Sequence, residues 1–365
     1  MASRKPVAGF IGAGGIAHSH AYALDAMKHY YHDAPEIEKE AVSSATSSGR
    51  ESFANRYGFR SSLCPGDFFE NGRINSVFIL GPNNTHIEHF RKAMMMPSVE
   101  RIYIEKPLCV SSDEESVIRR IAQERASIKI QAGYQFLFSS AVREALRFWR
   151  SGVLGKPVHF DFRYYHGDYL ARDYRNRRRT RLMPAPEGGA MADLGSHIIS
   201  MAIAFIGNNM DVTSAVQAGS FDDVPADSDL FSLITLHDPE SGAAGVISAS
   251  RVSSGTGDML SFELHAEKGS LKYSSHFPDF FEYYTEDSGI WHKISTGSSY
   301  KPVSSFPSGH VPPGWLRALV HAHYVFFTSG ESESMLPDLE HGLEVERILR
   351  ESAGQMRIFR NRVCR

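Results

Sequence analysis

Cysteine is scarce in this chain of 365 residues: only Cys64, Cys109 and Cys364 occur. None lies at CxxC spacing, which argues against a disulfide framework or a structural zinc site and points to a reducing compartment, the cytoplasm. No apolar run reaches the roughly 18 residues needed to span a bilayer. The stretch from Val7 to Ala17 follows Arg4 and Lys5 but carries Gly9, Gly12, Gly14 and Gly15 and runs into His18 and His20, unlike the plain apolar helix of a signal peptide. An excess of basic charge is also missing. Lys and Arg number 39 against 42 Asp and Glu, a formal charge of −3 that supplies no global field toward nucleic acid or membrane lipid. Among 17 histidines there is no HExxH and no carboxylate cluster, so no metal site is expected, and His18, His20, His321 and His323 read as packing or surface residues. Internal repeats and low-complexity linkers are lacking as well.

What is present suggests two domains, at a prior of roughly 150 residues each. From residue 6 to about 133, short apolar runs alternate with segments of helical period. The expected strands are Val7 to Ile11, Ala41 to Ala45, Val77 to Leu80, Arg101 to Ile104 and Ile128 to Gln131. That pattern predicts an α/β, doubly wound parallel sheet of Rossmann type over residues 1–133. After a helix around Ser139 to Arg150 the texture changes to period-two alternation. Val158, Phe160, Phe162 and Tyr164 alternate with polar residues, as do Leu260, Phe262, Leu264 and Ala266, and further runs fall near 212–219, 230–237, 244–251 and 280–284. These predict an open, largely antiparallel sheet in a second α/β domain, 134–365, closed by helices over Pro313 to Phe327 and Asp338 to Glu351.

The first strand runs into Gly12-Ala13-Gly14-Gly15-Ile16-Ala17, a GxGxxG/A fingerprint with Ala17 in third place. Gly12 permits the tight turn, Gly14 lets backbone approach a pyrophosphate, and Ala17 lets the next helix sit close to the sheet. Gly15 and Ile16 open that helix, whose unpaired N–H groups face the phosphates. A dinucleotide is therefore the expected cofactor. At the second strand tip, Ala45-Thr46-Ser47-Ser48-Gly49-Arg50 offers hydroxyls and a guanidinium where NAD-binding chains place a carboxylate. Thr46, Ser47, Ser48 and Arg50 suit a 2′-phosphate, which favours NADP over NAD.

Two more constellations stand out. Glu105-Lys106-Pro107 follows a strand end, where parallel sheets form their ligand crevice, so Lys106 is aimed at the site. In Gly188-Gly189-Ala190-Met191-Ala192-Asp193-Leu194-Gly195-Ser196-His197, Asp193 and His197 stand at i and i+4 on one helix face, where a carboxylate can orient an imidazole.

With the fingerprint, with Gly81-Pro82-Asn83-Asn84-Thr85-His86 in place of a TPNxxH loop, with Glu105-Lys106-Pro107 and with Asp193 and His197, the chain resembles the Gfo/Idh/MocA oxidoreductases along nearly its whole length. The resemblance implies a Rossmann domain followed by an α/β domain that shapes the substrate site. It also implies a homodimer or homotetramer formed through the C-terminal sheet. It carries over Lys106, Asp193 and His197 as the catalytic trio, with His197 as acid/base, Lys106 stabilising the reacting oxygen and Asp193 positioning His197 or touching a neighbouring hydroxyl. Pro82, Asn83, His86, Glu105 and Lys106 join the expected cofactor contacts. Departures are Gly81 for the usual threonine, Ser200 where many sugar-acting relatives have aspartate, and Gln135-Phe136-Leu137-Phe138 without an arginine found in some relatives.

The expected activity is NAD(P)-dependent hydride transfer between cofactor and a secondary alcohol or ketone of a sugar, polyol or related cyclic compound. A small polyhydroxylated substrate needs convergent polar groups, for which Tyr165, Tyr169 and Arg172 are candidates beside the trio. Alternatives within the same fold are a non-catalytic dinucleotide-binding regulator and a glycosidase working by transient oxidation. Arg172, Arg175, Arg177, Arg178, Arg179 and Arg181 crowd one loop, read either as an anion-recognising flap or as a solvated or subunit-contact loop.

Overall fold

Val7–Ile11 is buried at every position, as a strand covered on both faces must be. The computed structural model describes residues 4–31, 34–182, 188–219, 221–225, 227–296, 313–328 and 337–359, which leaves Cys364 outside the described residues. Its strands form two sheets, each in a separate compact unit.

The first unit holds six parallel strands: β1 (Val7–Ile11), β2 (Glu38–Ser43), β3 (Ser61–Leu63), β4 (Ser76–Ile79), β5 (Arg101–Ile104) and β6 (Lys129–Ala132), in the order β3-β2-β1-β4-β5-β6. This is the doubly wound order, and its direction of winding reverses between β1 and β4. The second strand lies a few residues before its expected place, because Glu38 and Lys39 pair with Val7 and Ala8 while Ala45 is already in the turn. β3 is too short and too polar, Ser-Ser-Leu, to have announced itself.

The first unit comprises residues 1–135 together with Leu316–Leu343. The sequence reading assigned this return segment to the second domain. The helix Pro313–Phe327 lays Phe326 against Phe78 and Tyr103 at ring separations of 5.6 and 5.9 Å. Its carbonyls take hydrogen bonds from the sheet: Lys129 Nζ donates to Val325 at 2.7 Å and Gln131 Nε2 to Ala322 at 3.3 Å. An amphipathic stripe announces a helix but not which sheet it covers.

The second unit comprises 136–315 and 344–365. Its nine strands are β7 (Pro157–Tyr165), β8 (Asp211–Ala218), β9 (Phe231–His237), β10 (Ala244–Ser250), β11 (Met259–Ala266), β12 (Gly269–Ser274), β13 (Phe280–Thr285), β14 (Ile290–Ser295) and β15 (Met356–Phe359), ordered β14-β13-β12-β11-β7-β10-β9-β8-β15. The sheet is largely antiparallel, with parallel pairing between β7 and β10 and between β8 and β15. Phe160, Phe162 and Phe262 form the core on one face, packed under the helix Ser196–Phe205 through Phe205. No helix among the described residues is long and apolar enough to cross a membrane.

Candidate functional site

Because all six strands of the first sheet run parallel, their carboxyl ends share one edge, and the fingerprint sits there at the β1/β4 reversal. Gly12 has φ of +122°, and a Cβ on it would lie 2.5 Å from the carbonyl of Leu80, so only glycine makes this turn. Gly14 and Gly15 are exposed, and a Cβ on either would meet nothing within 4 Å, which leaves open backbone in front of the helix Gly15–Tyr30. Gly14 caps that helix without any side-chain hydrogen bond, so its first N–H groups remain available to an anion. Ala17, in the first turn of that helix, is fully buried, as the motif requires. Pro82 and Asn83 are exposed after β4 on the same edge, and Ile16 is half-buried. The arrangement fits a dinucleotide pyrophosphate.

At the tip of β2, Thr46, Ser47 and Ser48 are exposed at the start of the helix Ser47–Tyr57, whose N-cap hydroxyl makes no capping bond. Arg50 donates from Nη1 to the Ser44 carbonyl at 3.3 Å, and its buried Nε has no acceptor among the described residues. The tip does contain a carboxylate, contrary to the sequence reading: the Ser47 hydroxyl donates to Glu51 at 2.5 Å. The helical turn brings residue 51 back over 47, so counting only along the strand missed it.

Glu105 and His86 are placed differently from expectation. Both were read as cofactor contacts, yet both point into the protein. The Glu105 carboxylate is buried, 2.9 Å from His20 Nε2, while His20 Nδ1 lies 2.9 Å from His323 Nε2. A Cβ on Gly133 would lie 2.9 Å from that carboxylate, so glycine there makes room for it. His86 is buried between the carbonyls of Pro107, 2.6 Å from Nδ1, and Gly81, 3.0 Å from Nε2. Burial lowers its pKa, opposed by both carbonyl contacts. These histidines therefore tie down the residues on either side of Lys106, which is itself half-buried just past β5.

His20 and His323 are buried packing residues, as expected, but their link to Glu105 was not foreseen. A signal was available. His20 follows the buried Ala17 by three residues and precedes the buried Leu24 by four, which places an imidazole on an apolar helix face where it needs a polar partner. Burial holds His323 neutral, its pKa well below the ordinary 6.5, with the charge of His20 acting in the same direction. The unfolded chain therefore binds protons below pH 6.5 that the native His323 refuses, so stability falls as pH drops through that value. Unfolding free energies from urea titrations between pH 7.5 and 5.5 should decline less steeply in His323→Gln, by about 1 kcal/mol per pH unit. An unchanged slope would exclude His323 as a source of the acid sensitivity.

In the second unit, Asp193 lies on a π-helical stretch, Met191–Gly195, that leads directly into the α-helix carrying His197. The Ser196 N–H reaches back five residues to the Met191 carbonyl. The widened turn starts from a buried fastening: the Met191 N–H donates to Asp229 Oδ2 at 2.8 Å and the Ala190 N–H to the Asp229 carbonyl at 3.0 Å. Burial raises the pKa of the Asp229 carboxyl. Gly189, at φ +83°, leaves space for that side chain, 2.5 Å from where its own Cβ would be. His197 is buried, edge-on to Phe136 at 5.1 Å and tilted to Tyr164 at 6.1 Å.

Asp193 accepts a hydrogen bond at Oδ2 from Arg251 Nη2 at 2.7 Å, and Arg181 Nη1 lies 3.5 Å from the same oxygen. Arg251 is 1% exposed. It also donates to the Arg181 carbonyl and lies over the ring of Tyr169 at 4.7 Å. Burial is the largest single influence on its pKa and lowers it, but the attraction of Asp193, Tyr169 and Asp229 and the hydrogen bond to Asp193 together outweigh it, so the pKa is raised. Arg251 was not foreseen, although Ile247, Ala249 and Arg251 share one strand-side period and the first two are fully buried.

Of the expected substrate residues, Tyr165 stands corrected. Successive residues of β7 face opposite sides, so when Tyr164 lies beside His197, Tyr165 points the other way, where its hydroxyl meets Ser248 at 2.5 Å. Tyr169 is a core residue packed with Leu182 and Leu230. Arg172 is exposed, 3.8 Å from Asp223. Asp193 and His197 thus share one helical stretch of the second unit, while Lys106 belongs to the first.

A family model described as an oxidoreductase family with an NAD-binding Rossmann fold matches residues 7–134, and one described as the GFO/IDH/MocA C-terminal domain matches 142–272. Levoglucosan dehydrogenase of Pseudarthrobacter phenanthrenivorans is 23% identical over 373 residues, covering 92% of each chain. Glucose-6-phosphate 3-dehydrogenase of Bacillus subtilis is 28% identical over 221 residues, 58% of this chain and 56% of its own. Among solved structures, levoglucosan dehydrogenase in complex with NADH and levoglucosan has a TM-score of 0.82 at 20% identity, covering 96% of this chain and 98% of that one. A 3-ketoreductase from Actinomadura kijaniata in complex with NADP and TDP-benzene has a TM-score of 0.74 at 17% identity over 98% and 99% of the two chains. With both domain models matched in order along most of its length, the chain belongs to the Gfo/Idh/MocA family of oxidoreductases.

Proposed function

We propose that the protein oxidises a secondary alcohol of a sugar or polyol, or reduces the matching ketone, with a nicotinamide dinucleotide and NADP preferred. The observation that carries the reading is the open glycine turn at the β1/β4 reversal, where Gly12 admits no side chain and Gly14 and Gly15 leave backbone exposed. Sugar- and inositol-directed names among the relatives support the substrate class. The turn at 12–16, the tip at 46–50 and the exposed Pro82 and Asn83 would hold the dinucleotide, which would supply the hydride chemistry. In the oxidising direction the hydroxyl proton must leave as the carbon loses hydride. We assign that proton to His197, the stabilisation of developing negative charge on oxygen to Lys106, and the orientation of His197 or a substrate hydroxyl to Asp193. Arg251 holds Asp193 in place for that work.

The second sheet turns a half-exposed face outward through His159, Asp161, Arg163 and Tyr165 of β7, and we place a homo-oligomeric contact there. We place the protein in the cytoplasm, a reading that the free Cys64 and Cys109 support.

Titration with NADPH and NADH, followed by nicotinamide fluorescence, and then a turnover screen over sugars and polyols test the reading. Tighter NADPH binding with turnover supports it; binding without any turnover favours a dinucleotide-binding regulator, and no binding rejects the cofactor assignment. For Arg50→Ala we expect the Kd for NADP to rise about tenfold or more and that for NAD to stay within about threefold. Equal weakening of both would remove Arg50 as a 2′-phosphate ligand.

A further inference from the structure

The arginine loop divides into a fastening and a free edge. Arg175 is the fastening: it is buried, donates to both oxygens of Asp223 at 3.2 and 2.8 Å and to the carbonyls of Tyr169 and Leu170 at 2.7 and 2.8 Å, and lies over Phe221 at 4.0 Å. A merely solvated loop has no cause to bury a guanidinium this way. The segment is a fixed platform, and such preorganisation lowers the entropy cost of binding.

The free edge carries surplus charge. Each carboxylate that touches it already serves two guanidiniums, Asp223 with Arg175 and Arg172, and Asp193 with Arg251 and Arg181. Arg177, Arg178 and Arg179 are exposed and have no carboxylate partner among the described residues. Arg178 lies over Tyr174 at 5.6 Å, and the Tyr174 hydroxyl stands in the fields of both Arg178 and Arg181, opposed by Asp168 and Asp193. The Arg181 N–H donates to the Arg178 carbonyl at 2.9 Å across a 3-10 turn, in which residues i and i+3 stand one above the other, so Arg178 and Arg181 are neighbours on this edge, and Arg181 lies 3.5 Å from Asp193.

We propose that Arg178 and Arg181 form an anion subsite beside Asp193, so that the substrate is a sugar bearing a phosphate or a carboxylate rather than a neutral sugar. The proposal rests on the reading of Asp193 as a substrate-site residue. Guanidinium forks match both anions through paired, charge-assisted hydrogen bonds, and Arg181, bound to Asp193 by one edge, keeps further donors for a ligand.

The test uses the full chain saturated with cofactor. Calorimetric titration with glucose, glucose 6-phosphate, glucuronate and inorganic phosphate is run at low and at physiological salt on wild type and on Arg178→Ala/Arg181→Gln, alongside oxidation of the three sugars. At least one anionic sugar is expected to bind about tenfold or more tightly than glucose, with that advantage reduced by salt and largely lost in the double variant. Preference for glucose 6-phosphate identifies phosphate as the ligand group, and preference for glucuronate identifies carboxylate. Circular dichroism confirms that the variant is folded. Glucose binding as tightly as both anionic sugars, anion preference surviving in the double variant, or no binding of any anion overturns the proposal. Oxidation of neutral sugars without anion preference leaves the dehydrogenase reading standing and removes the subsite. Anion binding lost in the variant with no oxidation of any sugar does the reverse.

Discussion

Lys106→Ala is expected to lower kcat by about 10²- to 10³-fold while the Kd for the dinucleotide stays within about threefold. The reasoning begins with what surrounds the lysine. Glu105 before it is held by His20 at 2.9 Å, and the carbonyl of Pro107 after it is held by His86 at 2.6 Å. The side chain therefore starts from a point fixed on both flanks, and a flexible stem is confined to a narrower set of positions. A charge placed in advance where negative charge develops acts mainly on the transition state, which is why kcat should fall more than binding. Lys106→Arg should rescue little, since a planar fork cannot occupy the place of a compact ammonium. Single-turnover rates and nicotinamide fluorescence separate the two quantities. A rate within threefold of wild type would take Lys106 out of the reaction.

Arg251→Ala is expected to destabilise the second unit by about 3–5 kcal/mol. The guanidinium is almost fully buried, pairs with Asp193 at 2.7 Å, and covers the ring of Tyr169. Alanine would leave an empty volume beside Tyr169 and strip the Asp193 carboxylate of the guanidinium at 2.7 Å, while the exposed Arg181 stays at 3.5 Å. Turnover should fall with stability, because Arg251 fixes the carboxylate of Asp193, which sits on the π-helical stretch leading into the helix of His197. Arg251→Lys separates the effects: it restores charge but not the fork, so most of the stability should return while turnover remains depressed. Unfolding curves in urea, compared with steady-state kinetics on the same preparations, provide the check. An unchanged midpoint for the alanine variant would mean that Asp193 does not depend on this pairing.

The parallel sheet was legible because each of its longer strands is an apolar run ending in a turn signal, and the alternation of Phe160, Phe162 and Tyr164 disclosed the second sheet in the same way. β14 and β15 were not seen: the first alternates only between exposed and half-buried residues, and the second is four residues directly after a long helix. Gly12 was read for the right physical reason, a turn no side chain can enter. Glu105 and His86 were assigned to the cofactor because linear position gives a residue's place along a strand end, not the direction of its side chain. Tyr165 shows the same limit, since the strand period gives two faces without saying which one carries His197. Arg251 became a site residue only through a pairing across 58 positions of chain, which no local pattern encodes.

The return of Leu316–Leu343 to the first unit has a consequence for how the protein is made. His20 meets His323 across 303 positions, and Phe78 and Tyr103 are covered by Phe326 of the same helix. A ribosome that has finished β6 has therefore produced a sheet whose Phe78 and Tyr103 still lack the cover of Phe326, and that part of its apolar surface stays open until nearly the whole chain has emerged. For that interval the nascent chain depends on chaperones or on speed, and a gene cut after β6 would produce a fragment with an uncovered core.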